Sequence, residues 1–356
     1  MLGLLSLAAL VAGSPFDPFP LAARPSGSFF DGWFLRVVDH AHSRSLAFIV
    51  GAYQPKGFPD AYESSWLSIL VASADGATVT EQTFAGDVNI TLLSGHSPGA
   101  SPDQVSPPRF ELSVPSLVTL RVDGDEVSLD ANINGLRVDV HVSAPRAAWD
   151  AGAPNGAGPE GMLRHVPWAL PCHYFVHTLA SPARYTVHGT GDGVAMSGVG
   201  FAHLETNYGA LFPKAWVWMQ GVDALGTTQL LITGGQFVVG GITTKTYIVA
   251  FRSPTAGTLN FRTTDADSIT VAEQDACAGR FRVSATPSLL SALWKRALQI
   301  SINVSANIES FSDPLFVPTA AGWSNDPGAC SSVPYRYISC ESFVAIWLWP
   351  QVESSS

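Results

Sequence analysis

Val118-Thr-Leu-Arg-Val-Asp-Gly-Asp-Glu-Val-Ser-Leu-Asp-Ala-Asn-Ile-Asn-Gly-Leu-Arg-Val-Asp-Val-His-Val142 decides the fold class. Apolar residues alternate with polar ones over Val118–Val122, Val127–Ala131 and Leu136–Val142. Asp, Asn and Gly punctuate the gaps. A period of two with tight turns is the pattern of strands that bury one face. Working outward, Gln229–Thr233 and Lys245–Phe251 repeat it, and turn signals recur through most of the chain. One segment departs from it. In Pro287–Leu298, residues Leu289, Leu290, Leu293, Trp294 and Leu298 fall on one helical stripe. The expectation is an all-β protein: two β-barrel or sandwich domains with one short helix in the C-terminal half.

The segment 151–161, Ala-Gly-Ala-Pro-Asn-Gly-Ala-Gly-Pro-Glu-Gly, is Gly- and Pro-rich and holds no aromatic or β-branched residue. It reads as a linker or long loop. The expected division is an N-terminal domain over 15–148, a connection over 149–162 and a C-terminal domain over 163–350. A second loop, 96–108, is rich in Ser, Pro and Gly. No internal repeat has a fixed period.

The chain has 356 residues, 46% of them apolar and 13% charged. That excludes an intrinsically disordered protein. Asp and Glu (29) outnumber Lys and Arg (19), a net charge of −10. The excess argues against nucleic acid as a partner, since phosphate contacts need a cationic face. Ten Trp suit a pocket for a large, greasy ligand. Residues 2–12 form an apolar run too short to span a bilayer, for which roughly 20 residues are needed. With Ala12, Gly13 and Ser14 behind it, the run fits a secretory signal over 1–14. No later segment reaches membrane-spanning length. Sequons at Asn89 and Asn303 agree with secretion and glycosylation. The four cysteines are Cys172, Cys277, Cys330 and Cys340. Cys330 and Cys340 could close a small loop, but three pairings are open.

Three segments carry candidate chemistry. In 29–38, Asp31, Trp33, Leu35 and Val37 share a strand face. An acid there must be paired, or used. In 202–220, His203, Glu205 and Asn207 share one face before Gly209. Lys214, Trp216, Trp218 and Gln220 share one after Pro213. Two indoles mixed with an acid, an imidazole, an amide and an ammonium fit the wall of a binding pocket. An exposed face with Lys214 paired to Glu205 is the plainer reading. In 167–177, His173 and His177 lie about 13 Å apart along a strand, too far to share a metal. No metal or cofactor is expected. There is no G-x-S-x-G elbow and no phosphate-binding loop.

Two of these segments resemble the tocopherol cyclase family. Phe29-Phe-Asp-Gly-Trp-Phe34 is similar to that family's F-F-E-G-W-Y. The run Glu205–Gln220 is similar to its E-K-N-W-G-x-x-F-P-(R/K)-x-W-x-W-x-Q. Asp31 stands for Glu and Tyr208 for Trp. The resemblance implies two lipocalin-like barrels, a hydrophobic aromatic substrate and cyclisation of a phenol onto a prenyl alkene. It implies Glu205 or Asp31 as the acid and Trp33, Tyr208, Trp216 and Trp218 as aromatic walls. His203, Asn207, Lys214 and Gln220 would orient the phenol. A related hydratase or pericyclic enzyme, or a carrier that leaves its ligand unchanged, are the alternatives.

Overall fold

The computed structural model describes residues 29–54, 65–73, 78–86, 88–93, 109–143, 149, 158–161, 172–189, 195–209, 215–239, 241–255, 257–275, 280–288 and 302–307. They hold β1 (Phe29–Asp39), β2 (Arg44–Gln54), β3 (Ser65–Ser73), β4 (Thr78–Ala85), β5 (Asn89–Leu92), β6 (Phe110–Val114), β7 (Val118–Asp123), β8 (Glu126–Ile133), β9 (Leu136–Val142), β10 (Cys172–His188), β11 (Ala195–Gly209), β12 (Ala215–Val222), β13 (Gln229–Val239), β14 (Ile242–Ser253), β15 (Gly257–Arg262), β16 (Ser268–Asp275), β17 (Arg280–Thr286) and β18 (Ile302–Asn307). Thr263–Asp265 form a short helical turn, and among the described residues no helix is long and apolar enough to cross a membrane. The protein is all-β in these residues. The helix expected from Pro287 lies, from Leu289 onward, outside them, as do the leader, Lys214, Cys277, Cys330 and Cys340.

The strands form antiparallel sheets of eleven, four and three strands. The large sheet runs β4-β3-β2-β1-β11-β10-β9-β8-β7-β6-β5. It draws strands from both sides of the Gly/Pro-rich segment, because β10 pairs with β9 and β11 pairs with β1.

Local chemistry explains the register. Asn134 and Gly135 between β8 and β9 both have positive φ, 52° and 88°. That is the turn whose twist matches a two-residue hairpin. The alternation predicted for 118–142 is realised: β8 alternates exposed and buried residues along its whole length. The inner residues of β7, β8 and β9 join Trp33, Leu35, Phe48, Leu67, Ile69, Phe110 and Leu204 in one core. Each fully buried Leu or Ile stabilises the fold by ~1.5–3 kcal/mol. The sheet curls so that β4 meets the β8–β9 turn, where Asn134 Nδ2 donates to Glu81 Oε2 at 3.0 Å and to the Gln82 carbonyl at 3.1 Å.

At the centre of the sheet both faces are covered. Trp149, Val176, Leu179, Trp218, Leu231 and Ala250 form a second core between β10 and the four-stranded sheet β12–β15. Close approach there needs small residues. A side chain at Gly200 on β11 would run into the Val38 carbonyl of β1.

Candidate functional site

The site grows from the β1–β11–β10 ladder. In its register Phe34 lies opposite Glu205, and Glu205 opposite Val176. Asp31 lies opposite Tyr208, and Tyr208 opposite His173. Side chains alternate between faces along each strand. Glu205, His203, Phe34 and Tyr174 therefore face β12–β15, while Asp31, Trp33, Tyr208 and His173 face the interior of the curled sheet.

On the first face one oxygen gathers three partners. Glu205 is buried (3% exposed). Its Oε2 accepts the Tyr174 hydroxyl, His203 Nε2 lies 2.6 Å from it, and the Trp218 indole N–H donates to it at 2.9 Å. Oε1 takes none of these bonds. Burial, followed by the Glu205 charge and the hydrogen bond to it, holds the Tyr174 phenol well above the ordinary tyrosine range. Tyr174 therefore stays a donor.

His203 is fully buried. Its Nδ1 lies 3.1 Å from the Leu179 carbonyl. A carbonyl only accepts, so Nδ1 carries a hydrogen. One further proton is then shared between Nε2 and the Glu205 carboxyl. The Leu179 carbonyl also accepts Gln220 Nε2 at 3.1 Å. It is free to do so because β10 shifts register between Val176 and Thr178 and again between Thr178 and Ser181. Such bulges release a backbone group from the ladder and re-aim it. With the Gln220 NH2 committed to that carbonyl, its Oε1 faces the other way. That oxygen is buried with no hydrogen-bond partner among the described residues. Leaving a buried acceptor unsatisfied costs ~1–3 kcal/mol. Phe34 meets the Trp218 ring edge-on at 5.0 Å and completes an aromatic wall.

The second face holds Asp31 and Trp33, each 2% exposed. Thr206 Oγ1 donates to Asp31 Oδ1 at 3.4 Å. Trp33 stacks on His177 at 5.4 Å and tilts against Phe110 at 4.9 Å. Tyr208 stacks on His173 at 5.1 Å.

The structure thus brings together His203, Glu205, Trp218 and Gln220, and it sets Asp31, Trp33 and Tyr208 on the opposite face. Asn207 is half-buried, with its amide over Gly32, where a Cβ would stand 2.9 Å from Asn207 Oδ1. Trp216 belongs to β12, but its side chain is not among the described ones, nor is that of Asn303 on β18. Asn89 on β5 is exposed. Sequence reasoning missed Tyr174 and the Leu179 carbonyl. Tyr174 needs the β10–β11 register, and the carbonyl needs the bulge. Neither leaves a mark in residue type. Among the described residues no group of three or more His, Cys, Asp or Glu could hold a metal ion.

No protein-family model matches the chain, and no curated protein matches it. Solved structures do. The chain is similar to a Nitrosomonas europaea structure bearing the name AttH, at 13% identity and a TM-score of 0.44 over 78% of this chain and 88% of that one. It is similar to CghA at 9% identity and 0.45, over 81% and 88%. It is similar to kievitone hydratase from Nectria haematococca at 13% identity and 0.40, over 80% and 78%.

Proposed function

We propose that this protein is an intramolecular cyclase that closes an oxygen heterocycle by adding a phenol hydroxyl to a prenyl alkene. One observation carries the reading: a buried carboxyl–imidazole pair is joined through the Leu179 carbonyl to Gln220, whose buried amide oxygen has no hydrogen-bond partner among the described residues. A phenol O–H would satisfy Gln220 Oε1 and leave the phenol oxygen placed for attack. The Glu205 carboxyl would deliver to the alkene the proton it shares with His203 Nε2. The π bond takes that proton and a tertiary cation forms beside Trp218, Phe34 and Tyr174, whose ring faces stabilise it. The phenol oxygen bonds to the cationic carbon, and its proton passes to the Glu205–His203 pair, which restores the carboxyl. Atoms balance and no electron transfer is required.

The Tyr174 hydroxyl and the Trp218 indole N–H, both on Oε2, stabilise the carboxylate left behind. Burial between two sheets keeps water from trapping the cation. Asp31, on the other face, takes no part. A carrier needs only apolar surface and has no use for such a pair. Passage through the secretory pathway, with a glycan on exposed Asn89, completes the proposal.

The test is incubation with a panel of prenylated phenols and quinols in D2O. The expected product is an isomer carrying one deuterium on carbon. Glu205→Gln should lower the rate at least tenfold, ~1.4 kcal/mol. A product heavier by water would make the protein a hydratase, an isomer without deuterium would point to a pericyclic route, and unchanged bound ligand would indicate a carrier.

A further inference from the structure

A second carboxyl–imidazole pair lies on the opposite face of the same ladder, outside the proposed cyclisation. Glu160 is 7% exposed and belongs to the buried segment 158–161. Arg262 clamps that segment. Its Nε donates to the Pro159 carbonyl at 2.9 Å, one terminal nitrogen donates to the Gly158 carbonyl, and the other donates to Asp265 at 3.0 Å. Gly161 has a φ of 61°, and a Cβ there would stand 2.8 Å from Arg262 Cδ. The backbone can close on the guanidinium only with glycine at that point.

The clamp carries the Glu160 carboxyl to the start of β10. There Oε1 accepts the Tyr174 backbone N–H at 2.8 Å, and His173 Nδ1 lies 3.1 Å away. With Nδ1 the donor to a carboxylate, Nε2 holds the lone pair of the neutral ring. Nε2 is bonded to none of the described residues. The side chain is 13% exposed. The His173 ring is stacked on Tyr208, and Tyr208 separates it from Asp31 in the register.

We propose that His173 Nε2 is a second proton-accepting site, which takes the weakly acidic hydroxyl of a planar phenol or enol beside Tyr208, with Glu160 as the positioning residue. The ligand arrives neutral. An anionic ligand would meet the carboxyls of Glu160 and Asp31, while Arg262 is already engaged by two carbonyls and Asp265. On proton transfer the ligand O–H bond breaks and an Nε2–H bond forms. The imidazolium is then stabilised through Nδ1 by Glu160, as a carboxylate stabilises the imidazolium of a catalytic triad. The site is independent of Glu205, because His173 and Tyr174 are neighbours on one strand and point to opposite faces.

The experiment titrates para-nitrophenol into the intact protein and follows the visible phenolate band together with calorimetric binding. The wild type should bind with a larger phenolate fraction than buffer at the same pH. His173→Gln should weaken binding at least tenfold. Glu160→Gln should lose the extra phenolate while keeping most of the binding, a split that a merely structural role would not produce. If His173→Gln fails to fold by circular dichroism, diethyl pyrocarbonate labelling of the wild type takes its place. His173 should then be labelled, and para-nitrophenol should protect it. Absence of both phenolate band and protection overturns the proposal. So does a signal that survives His173→Gln, or one that vanishes instead in Glu205→Gln.

Discussion

Strands β8 and β11 belong to one sheet and alternate polar with apolar residues over 126–133 and 202–205, yet they bury those residues differently. On β8, Val127, Leu129, Ala131 and Ile133 are buried while Ser128, Asp130 and Asn132 are exposed. On β11, every residue from Ala202 to Thr206 is buried. Both strands send apolar residues into the curled core, Ala202, Leu204 and Tyr208 in the case of β11. What differs is the cover on the outer face: water over β8, the sheet β12–β15 over β11. A polar side chain facing water needs no partner. Under a second sheet it must be hydrogen-bonded or destabilise the fold. His203 and Glu205 meet that demand with each other, Tyr174, Trp218 and the Leu179 carbonyl. The candidate site lies where alternation of residue type continues but alternation of burial stops.

The largest break in that comparison should come from His203→Ala. It strips a buried carboxyl of its imidazole and leaves the Leu179 carbonyl with one donor fewer. Removing one partner of a buried pair destabilises by about 3–5 kcal/mol, which urea unfolding would show. On β8 the inner face should respond through packing instead. Leu129→Ala leaves a cavity and should cost about 2–4 kcal/mol with no preferential loss of turnover.

A pH effect comes next, at the end of β1. Asp39 is 1% exposed. Burial works to raise its carboxyl, but hydrogen bonds from His42 and Tyr185 outweigh it and hold the group below the ordinary 3.8. A carboxyl lowered by folding contributes stability that is present above its unfolded value and lost as pH falls through the folded one. Thermal melts at descending pH should therefore show a steeper acid loss below about pH 4 in the wild type than in Asp39→Asn. The smallest effect belongs to the outer face of β8. Ser128→Ala, facing water, should shift stability by no more than ~0.5 kcal/mol.

Much of this was legible in the sequence, for a definite reason. Parity within a strand is a property of spacing, so the alternation of 118–142 gave the strands. The shared parity of His203 with Glu205, and of Trp218 with Gln220, gave half of the cluster. Relative face between strands is set by register, which spacing does not contain. Asp31 and Glu205 are both acids flanked by aromatics. Only the pairing of Phe34 with Glu205 and of Asp31 with Tyr208 shows that they point to opposite sides. Tyr174 was hidden for the same reason, and the Leu179 carbonyl because a bulge has no residue signature here. Glu160 lay in a stretch that reads as a Gly/Pro linker. Its burial comes from Arg262, about a hundred residues away.

The central claim is that the face toward β12–β15 carries the chemistry. The most direct measurement compares Glu205→Gln with Asp31→Asn, following deuterium incorporation from D2O into a cyclised prenyl phenol. The account predicts that Glu205→Gln loses at least tenfold of the rate, ~1.4 kcal/mol, while Asp31→Asn turns over as the wild type does. Loss in Asp31→Asn with activity retained in Glu205→Gln would contradict it and move the reaction to the interior face.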